Sequence, residues 1–203
     1  MAGLPWNRLG GLFARYGRRV YPDWALAHLA GFLAPLPEGA RVLDLGGGTG
    51  VLAEAVRAAR PGLEVTVADA AAGMLARVPP GVEAVLARAE ALPFPGGAFD
   101  AAVVGEALHH FADLEAALAE LARVVRAGGR LWVYEFDPRP LAGRLLAFAE
   151  RALGEPAGFL PPGALAARLT AAGFRVEVEA RGFRYLAYGV LSRKASGRSS
   201  PSV

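Results

Sequence analysis

The run Val42–Gly50, VLDLGGGTG, constrains this chain more than any other feature. An apolar stretch ends in Asp44–Leu45, four glycines follow within five residues, and an amphipathic pattern opens at Val51. A strand that turns sharply into a helix accommodates that order. Gly46, Gly48 and Gly50 let the backbone reverse and approach a ligand with no Cβ in the way, and the first turn of the following helix presents free N–H groups. Turns of this kind sit at the carboxyl edge of open α/β sheets, where ligands bind.

The rest of the chain supplies such a sheet. Apolar runs at Arg41–Leu45, Glu64–Asp69, Val82–Leu86, Phe99–Gly105 and Gly129–Phe136 alternate with helical patterns at Val51–Arg60 and Leu114–Arg126. Continuous apolar strands separated by helices predict a parallel sheet covered on both faces. Asp113 is placed to cap the second helix, and Gly128 stands just past its end. After a helix over Pro161–Gly173, the runs Arg175–Ala180 and Arg184–Leu191 are joined by a turn at Gly182. So short a link joins only antiparallel neighbours. The expected class is α/β: a seven-stranded, mostly parallel sheet with helices on both faces and a C-terminal antiparallel hairpin. Residues 1–194 are expected to form one domain, with a helical cap over 1–40 (best at Asp23–Leu33) packed on the sheet's carboxyl edge. An insert over 138–162 follows the fifth strand, and 195–203 reads as a disordered polar tail.

Composition narrows the setting. No apolar stretch reaches the roughly 18 residues of a membrane span, and the N-terminal Arg residues follow rather than precede the apolar part, unlike a secretory signal. The absence of Cys excludes disulfides and thiolate chemistry, so a cytoplasmic enzyme is expected. The net charge of +3 is concentrated at the ends, in Arg8, Arg15, Arg18 and Arg19 and in Arg193, Lys194 and Arg198. Without interleaved aromatics these read as solubilising charge, and nucleic acid is not expected as a partner.

A Gly-rich loop also serves dinucleotides, and two residues argue against that use. The third small residue of a dinucleotide fingerprint would fall at position 51, which is Val51. Asp44 precedes the loop, where a carboxylate repels a pyrophosphate and attracts an ammonium. Asp69 ends the second strand, where an acid suits the two hydroxyls of a ribose.

Taken with VTVADAAAGML at 65–75, ARAEALPFPGGAFD at 87–100, GEALHHF at 105–111 and RVVRAGGRLWVYE at 123–135, the loop resembles the class I S-adenosylmethionine-dependent methyltransferases. The likeness covers residues 38–194 and is strongest to the small-molecule branch that includes the ubiquinone/menaquinone biosynthesis C-methyltransferases. It implies a Rossmann-like sheet, S-adenosylmethionine as cofactor and S-adenosylhomocysteine as product. Carried over residue by residue, Asp44 and Gly46 would stand by the amino-acid part of the cofactor, with Gly48 and Gly50 lining it. Asp69 would hold the ribose, Ala70 and Met74 would pack on the adenine, and Ala89 and Glu90 would frame its rim. Arg88 stands where the family often has Asp, and Arg cannot accept a hydrogen bond; Glu90 or a backbone carbonyl would take that role. Glu106 would contact the cofactor or frame the site.

Methyl transfer asks the protein to position the acceptor, exclude water and, where the nucleophile carries a proton, remove it. His109 and His110, three and four residues after Glu106, are the candidates for a general base. One of them could instead only hydrogen-bond the backbone or flank the methionine moiety. Tyr16 and Tyr21 could close over the site. Phe136, Phe148 and Phe159 could wall a pocket for an apolar or aromatic small molecule, whereas Trp132 and Tyr134 read as core. No metal site is expected: His28 stands alone, and His109–His110 has no acidic ligand at a convincing spacing. Two other outcomes fit the pattern, an RNA or protein acceptor and a cofactor-binding module without catalysis. The absence of an N-P-P-[YF] block after the fourth strand, where GEAL stands, counts against nucleobase amino groups.

Overall fold

A computed structural model describes residues 20–153 and 158–192. Seven strands form one sheet in the order β3-β2-β1-β4-β5-β7-β6. They are β1 (Arg41–Leu45), β2 (Glu64–Asp69), β3 (Glu83–Leu86), β4 (Phe99–Gly105), β5 (Val125–Phe136), β6 (Phe174–Arg181) and β7 (Arg184–Leu191). The first five run parallel. β7 lies between β5 and β6 and is antiparallel to both, with Arg181 paired to Arg184 across the Gly182–Phe183 turn. The chain winds outward from β1 to β3, then returns to place β4 on the other side of β1. That reversal opens a crevice at the carboxyl ends of β1 and β4.

Strand alternation sends successive residues to opposite faces, and both faces are buried along β1, β2 and β4, which is why those strands are mostly apolar, whereas the edge strands β3 and β6 are largely exposed. Leu43, Leu45, Val104 and Leu131 pack on one side against α4 (Leu114–Val124) and α6 (Pro162–Ala171). Val42, Val67, Val103 and Trp132 pack on the other against α1 (Asp23–Leu33) and α2 (Val51–Ala59). A single turn, α3 (Ala72–Leu75), follows β2, and α5 (Leu141–Ala152) fills the insert after β5.

Three local expectations change. α4 is capped by Asp113, whose side chain accepts from Ala116 N–H, but the helix passes straight into β5 at Val125. Gly128 is therefore no helix cap; it lies inside β5 with φ 75°. Val125 pairs with Phe99, and a register shift between Phe99 and Ala101 absorbs the irregularity. Second, α1 packs on the sheet face through Leu29, Phe32 and Leu33, whereas Val20 and Tyr21 reach the cavity at the carboxyl edge. The remainder of the expected cap, residues 1–19 with Tyr16, and the tail 195–203 lie outside the described residues. Third, β3 begins one residue later than expected, at Glu83. No helix among the described residues is long and apolar enough to cross a membrane.

Candidate functional site

The loop after β1 is shaped by what surrounds it. Gly46 and Gly48 have φ of 70° and 56°, a region costly for side chains other than glycine. Space adds to the restriction: a Cβ on Gly46 would fall 2.5 Å from Ala107 Cβ, and one on Gly48 would fall 3.1 Å from Met74 Cε. Gly48 N–H donates to Asp69 Oδ2 at 2.9 Å, and Ala71 N–H donates to Asp69 Oδ1 at 2.8 Å. Asp69 thus ties the glycine loop to the turn after β2, and each of its oxygens keeps a lone pair for a further donor. Burial raises its pKa, opposed by the backbone N–H groups of Ala71, Gly48 and Ala70.

Asp44 lies beneath the loop, fully buried. Its Oδ2 accepts from Ala53 N–H at 3.0 Å, while Oδ1 has no hydrogen-bond partner. A Cβ on Gly47 would come within 2.5 Å of this carboxyl, so Gly47 is as tightly required as its neighbours. Burial pushes the Asp44 carboxyl up to about 7, with the Ala53 N–H opposing and the Asp69 charge reinforcing the shift. Gly50 is the N-cap of α2 with φ 81° and faces Val78 and Pro79.

A cavity of about 610 Å³ opens over the crevice. Gly46, Gly48, Asp69, Ala70, Met74, Ala89, Glu90, Glu106, His109 and His110 all line it. Asp44 and Gly50 do not; they hold the loop from behind. At one end, the Arg88 side chain is 67% exposed and its Nε lies 3.4 Å from Glu90 Oε2. Glu90 Oε1 accepts from Ala112 N–H at 2.9 Å and Asp113 N–H at 3.2 Å. Its carboxylate therefore secures the start of α4 as well as facing the cavity. Burial alone would raise its pKa, but those donors, its own N–H and Arg88 bring it below the ordinary value.

The other end is assembled from β4, β5, α5 and the 3-10 turn Leu108–His110. Glu106 has φ 52°, unusual for a residue with a side chain; its N–H is held by Tyr134 O at 2.8 Å. Oε1 of Glu106 is buried with no hydrogen-bond partner, and burial, followed by the Glu135 charge, pushes its pKa well above the carboxylate range. His109 is almost fully buried. Its Nδ1 lies 2.9 and 3.0 Å from the two oxygens of Glu135, its ring stacks on Phe159 at 4.0 Å, and its Nε2 lies 3.5 Å from Glu150 Oε2. The His110 ring is 4.0 Å from that of His109; burial, with His109 adding, lowers its pKa to about 3, so it is neutral.

Glu135 and Glu150 escape the sequence reading. A glutamate at the end of the apolar strand VYEF is the one clue to Glu135; nothing in the heptad-free run of α5 singles out Glu150. Of the three phenylalanines expected to wall a pocket, Phe136 lines the cavity and Phe159 stacks on His109, but Phe148 is 70% exposed. Trp132 and Tyr134 are fully buried, as expected of core. Tyr21 is buried over Gly105, where a Cβ would collide with its hydroxyl. His28 accepts from Trp132 Nε1–H at 3.1 Å and stands apart from the cavity.

Residues 43–133, which carry the glycine loop, Asp69 and the Glu106–His110 segment, match the family described as a methyltransferase domain. A demethylmenaquinone methyltransferase of Thermus thermophilus is 42% identical over 167 residues, covering 68% of this chain and 76% of the relative. The chain belongs to the S-adenosylmethionine-dependent methyltransferases. A ubiquinone/menaquinone biosynthesis C-methyltransferase of Hahella chejuensis is 42% identical over 109 residues, 49% of this chain, and is matched over only 44% of its own length. The fold is also that of a SAM-dependent methyltransferase of Thermotoga maritima, with a TM-score of 0.75 at 21% identity, covering 93% of this chain and 99% of that one. The cofactor of this methyltransferase is S-adenosylmethionine. The residues fit it: a glycine cradle that any Cβ would fill, an Asp69 with spare lone pairs, and a buried Glu106 oxygen in the cavity lining without a donor.

Proposed function

We propose that this methyltransferase methylates a small apolar or aromatic molecule, of the kind that the Thermus relative's name indicates, a demethylated quinone precursor. The observation that carries the reading is continuity: one cavity of about 610 Å³ runs from the glycine loop to the imidazole and phenyl rings. That is the scale of small-molecule sites, about 300–1,000 Å³, and a folded macromolecule would not enter it.

In this reading Asp69 accepts from the ribose hydroxyls, Ala70, Met74 and the backbone of Ala89 flank the adenine, and Glu90 stiffens that rim. Gly46 and Gly48 pass close to the amino-acid part, with Asp44 behind them and Glu106 beyond. Bound there, the cofactor supplies a methyl group on a sulfonium and leaves as the neutral thioether S-adenosylhomocysteine. Phe136 gives the acceptor an apolar wall, and Phe159 supports it by stacking on His109. His109 and His110 stand at that wall and activate the acceptor, while Tyr21 helps to exclude water.

Calorimetry with S-adenosylhomocysteine, followed by transfer of a tritiated methyl group to a panel of phenols, hydroquinones and amines, tests the reading. Micromolar binding and labelling of an aromatic acceptor are expected. No binding would end the cofactor assignment, and labelling of amines or RNA alone would end the acceptor class.

A further inference from the structure

Two adjacent histidines and a glutamate 40 residues further along the chain converge at the acceptor end. One ligand-type atom each from His109, His110 and Glu150 lie within 4.8 Å of one another. All three residues line the cavity. Resting on the methyltransferase reading and deepening it, we infer that His109, His110 and Glu150 form a binding site for a divalent transition-metal ion, whose open positions take an oxygen of the acceptor.

The roles of the ring nitrogens support the inference. Glu135 is held as an acceptor on every side: Leu108 N–H donates to its Oε1 at 2.9 Å, and Phe136 N–H to its Oε2 at 3.3 Å. Facing both oxygens, His109 Nδ1 has to carry a hydrogen, so in the neutral ring Nε2 keeps its lone pair. That lone pair points toward a second carboxylate, Glu150 Oε2, at 3.5 Å. Two acceptors brought to that distance are reconciled by a cation. Tetrahedral ligands at about 2.0–2.1 Å from zinc stand roughly 3.3–3.5 Å apart, so this edge needs no adjustment.

A proton on Nε2 would also satisfy His109 and Glu150. A metal ion would in addition take up the ligand atom that His110 brings within 4.8 Å of the other two. A histidine whose Nδ1–H is held by a carboxylate while Nε2 is directed at a cation site is the arrangement that orients metal-bound imidazoles. Two imidazoles and one carboxylate, with the remaining positions facing a cavity, is the ligand set of catalytic rather than structural ions. Imidazole donors favour zinc, iron or cobalt over magnesium and calcium. An acceptor oxygen entering an open position would be oriented at the aromatic wall, and a hydroxyl there would release its proton to water more readily. The site therefore selects acceptors with an oxygen beside the methylated atom.

The test uses the full chain, stripped with a chelator, dialysed and titrated with Co²⁺. One equivalent should bind, with the intense ligand-field absorption of a four- or five-coordinate ion. His110→Ala and Glu150→Gln should abolish that absorption. Glu135→Gln, which touches no ion, should keep the stoichiometry and weaken affinity roughly 10- to 100-fold. Absence of stoichiometric binding, or binding unchanged in both ligand variants, overturns the site; in the first case His109 and Glu150 share a proton instead. Calorimetry with S-adenosylhomocysteine on the same stripped samples reports the cofactor site independently. Its loss in wild type would strike the methyltransferase reading, whereas intact binding without Co²⁺ binding would strike the metal site alone.

Discussion

The two ends of the cavity are built in opposite ways. The glycine-loop end, proposed for the cofactor, is mostly backbone, delivered by one continuous stretch, Val42–Leu52, and braced by Asp69 at the neighbouring strand's end. The histidine end, proposed for the acceptor, is mostly side chains, gathered from residues 106, 109, 110, 135, 136, 150 and 159. A site made of backbone has to repeat its glycines at fixed offsets, because each answers a local steric demand. A site made of side chains needs only that distant elements end near one another, so its parts can change with the acceptor.

Gly48→Val attacks the first construction most directly. The variant combines φ 56° with a branched side chain against Met74, and backbone strain of this kind alone costs about 1–3 kcal/mol. Affinity for S-adenosylhomocysteine should fall more than about 100-fold by calorimetry; a loss under tenfold would show that the loop can move aside.

Asp69→Ala comes next, with an expected weakening of about 1.5–3 kcal/mol, the range for hydrogen bonds to a charged group. Because Asp69 also accepts from Gly48 and Ala71, the apo protein should melt at a lower temperature. An unchanged affinity would mean that the ribose is held elsewhere.

Asp44→Asn separates the loop's support from its surface. The carboxyl has a folded pKa of about 7 against an ordinary 3.8, so between these values the folded state binds more protons than the unfolded state. Stability from this group is then greatest at low pH and declines as pH rises from about 4 to 7. Asp69 and Glu106, also raised, act in the same direction. Asparagine keeps an acceptor for Ala53 N–H but removes this titration. Urea midpoints of the variant should therefore vary less across that window; parallel curves would clear Asp44 of the effect.

The smallest change is expected at Arg88→Ala. Its side chain is mostly exposed, and exposed ion pairs contribute about 0–1 kcal/mol. Cofactor affinity should change less than about threefold. A larger loss would place Arg88 on the cofactor itself and break the division between the two ends.

The α/β class, the carboxyl-edge loop and the hairpin were all legible because each rests on local rules. Apolar runs mark strands buried on both faces, glycines mark positive φ, and a two-residue link permits only an antiparallel return. The passage of α4 directly into β5 was not legible. Gly128 reads as a helix cap by local preference, and pairing of Val125 with Phe99, 26 residues away, prevailed over it. Asp44 shows the same boundary inside the site. Its presence before the loop follows from sequence, but that it lies beneath the loop rather than on the cavity wall depends on how α2 packs.

By itself, the sequence determined the sheet, the cofactor and the glycine loop at the sheet's carboxyl edge, since these depend on residues close together in the chain. Tertiary structure decided the partners of His109 and His110. Glu135 meets His109 because β5 runs parallel beside β4, and Glu150 meets it because α5 folds back across the carboxyl edge. Those separations of 26 and 41 residues are set by packing, and no local preference encodes them.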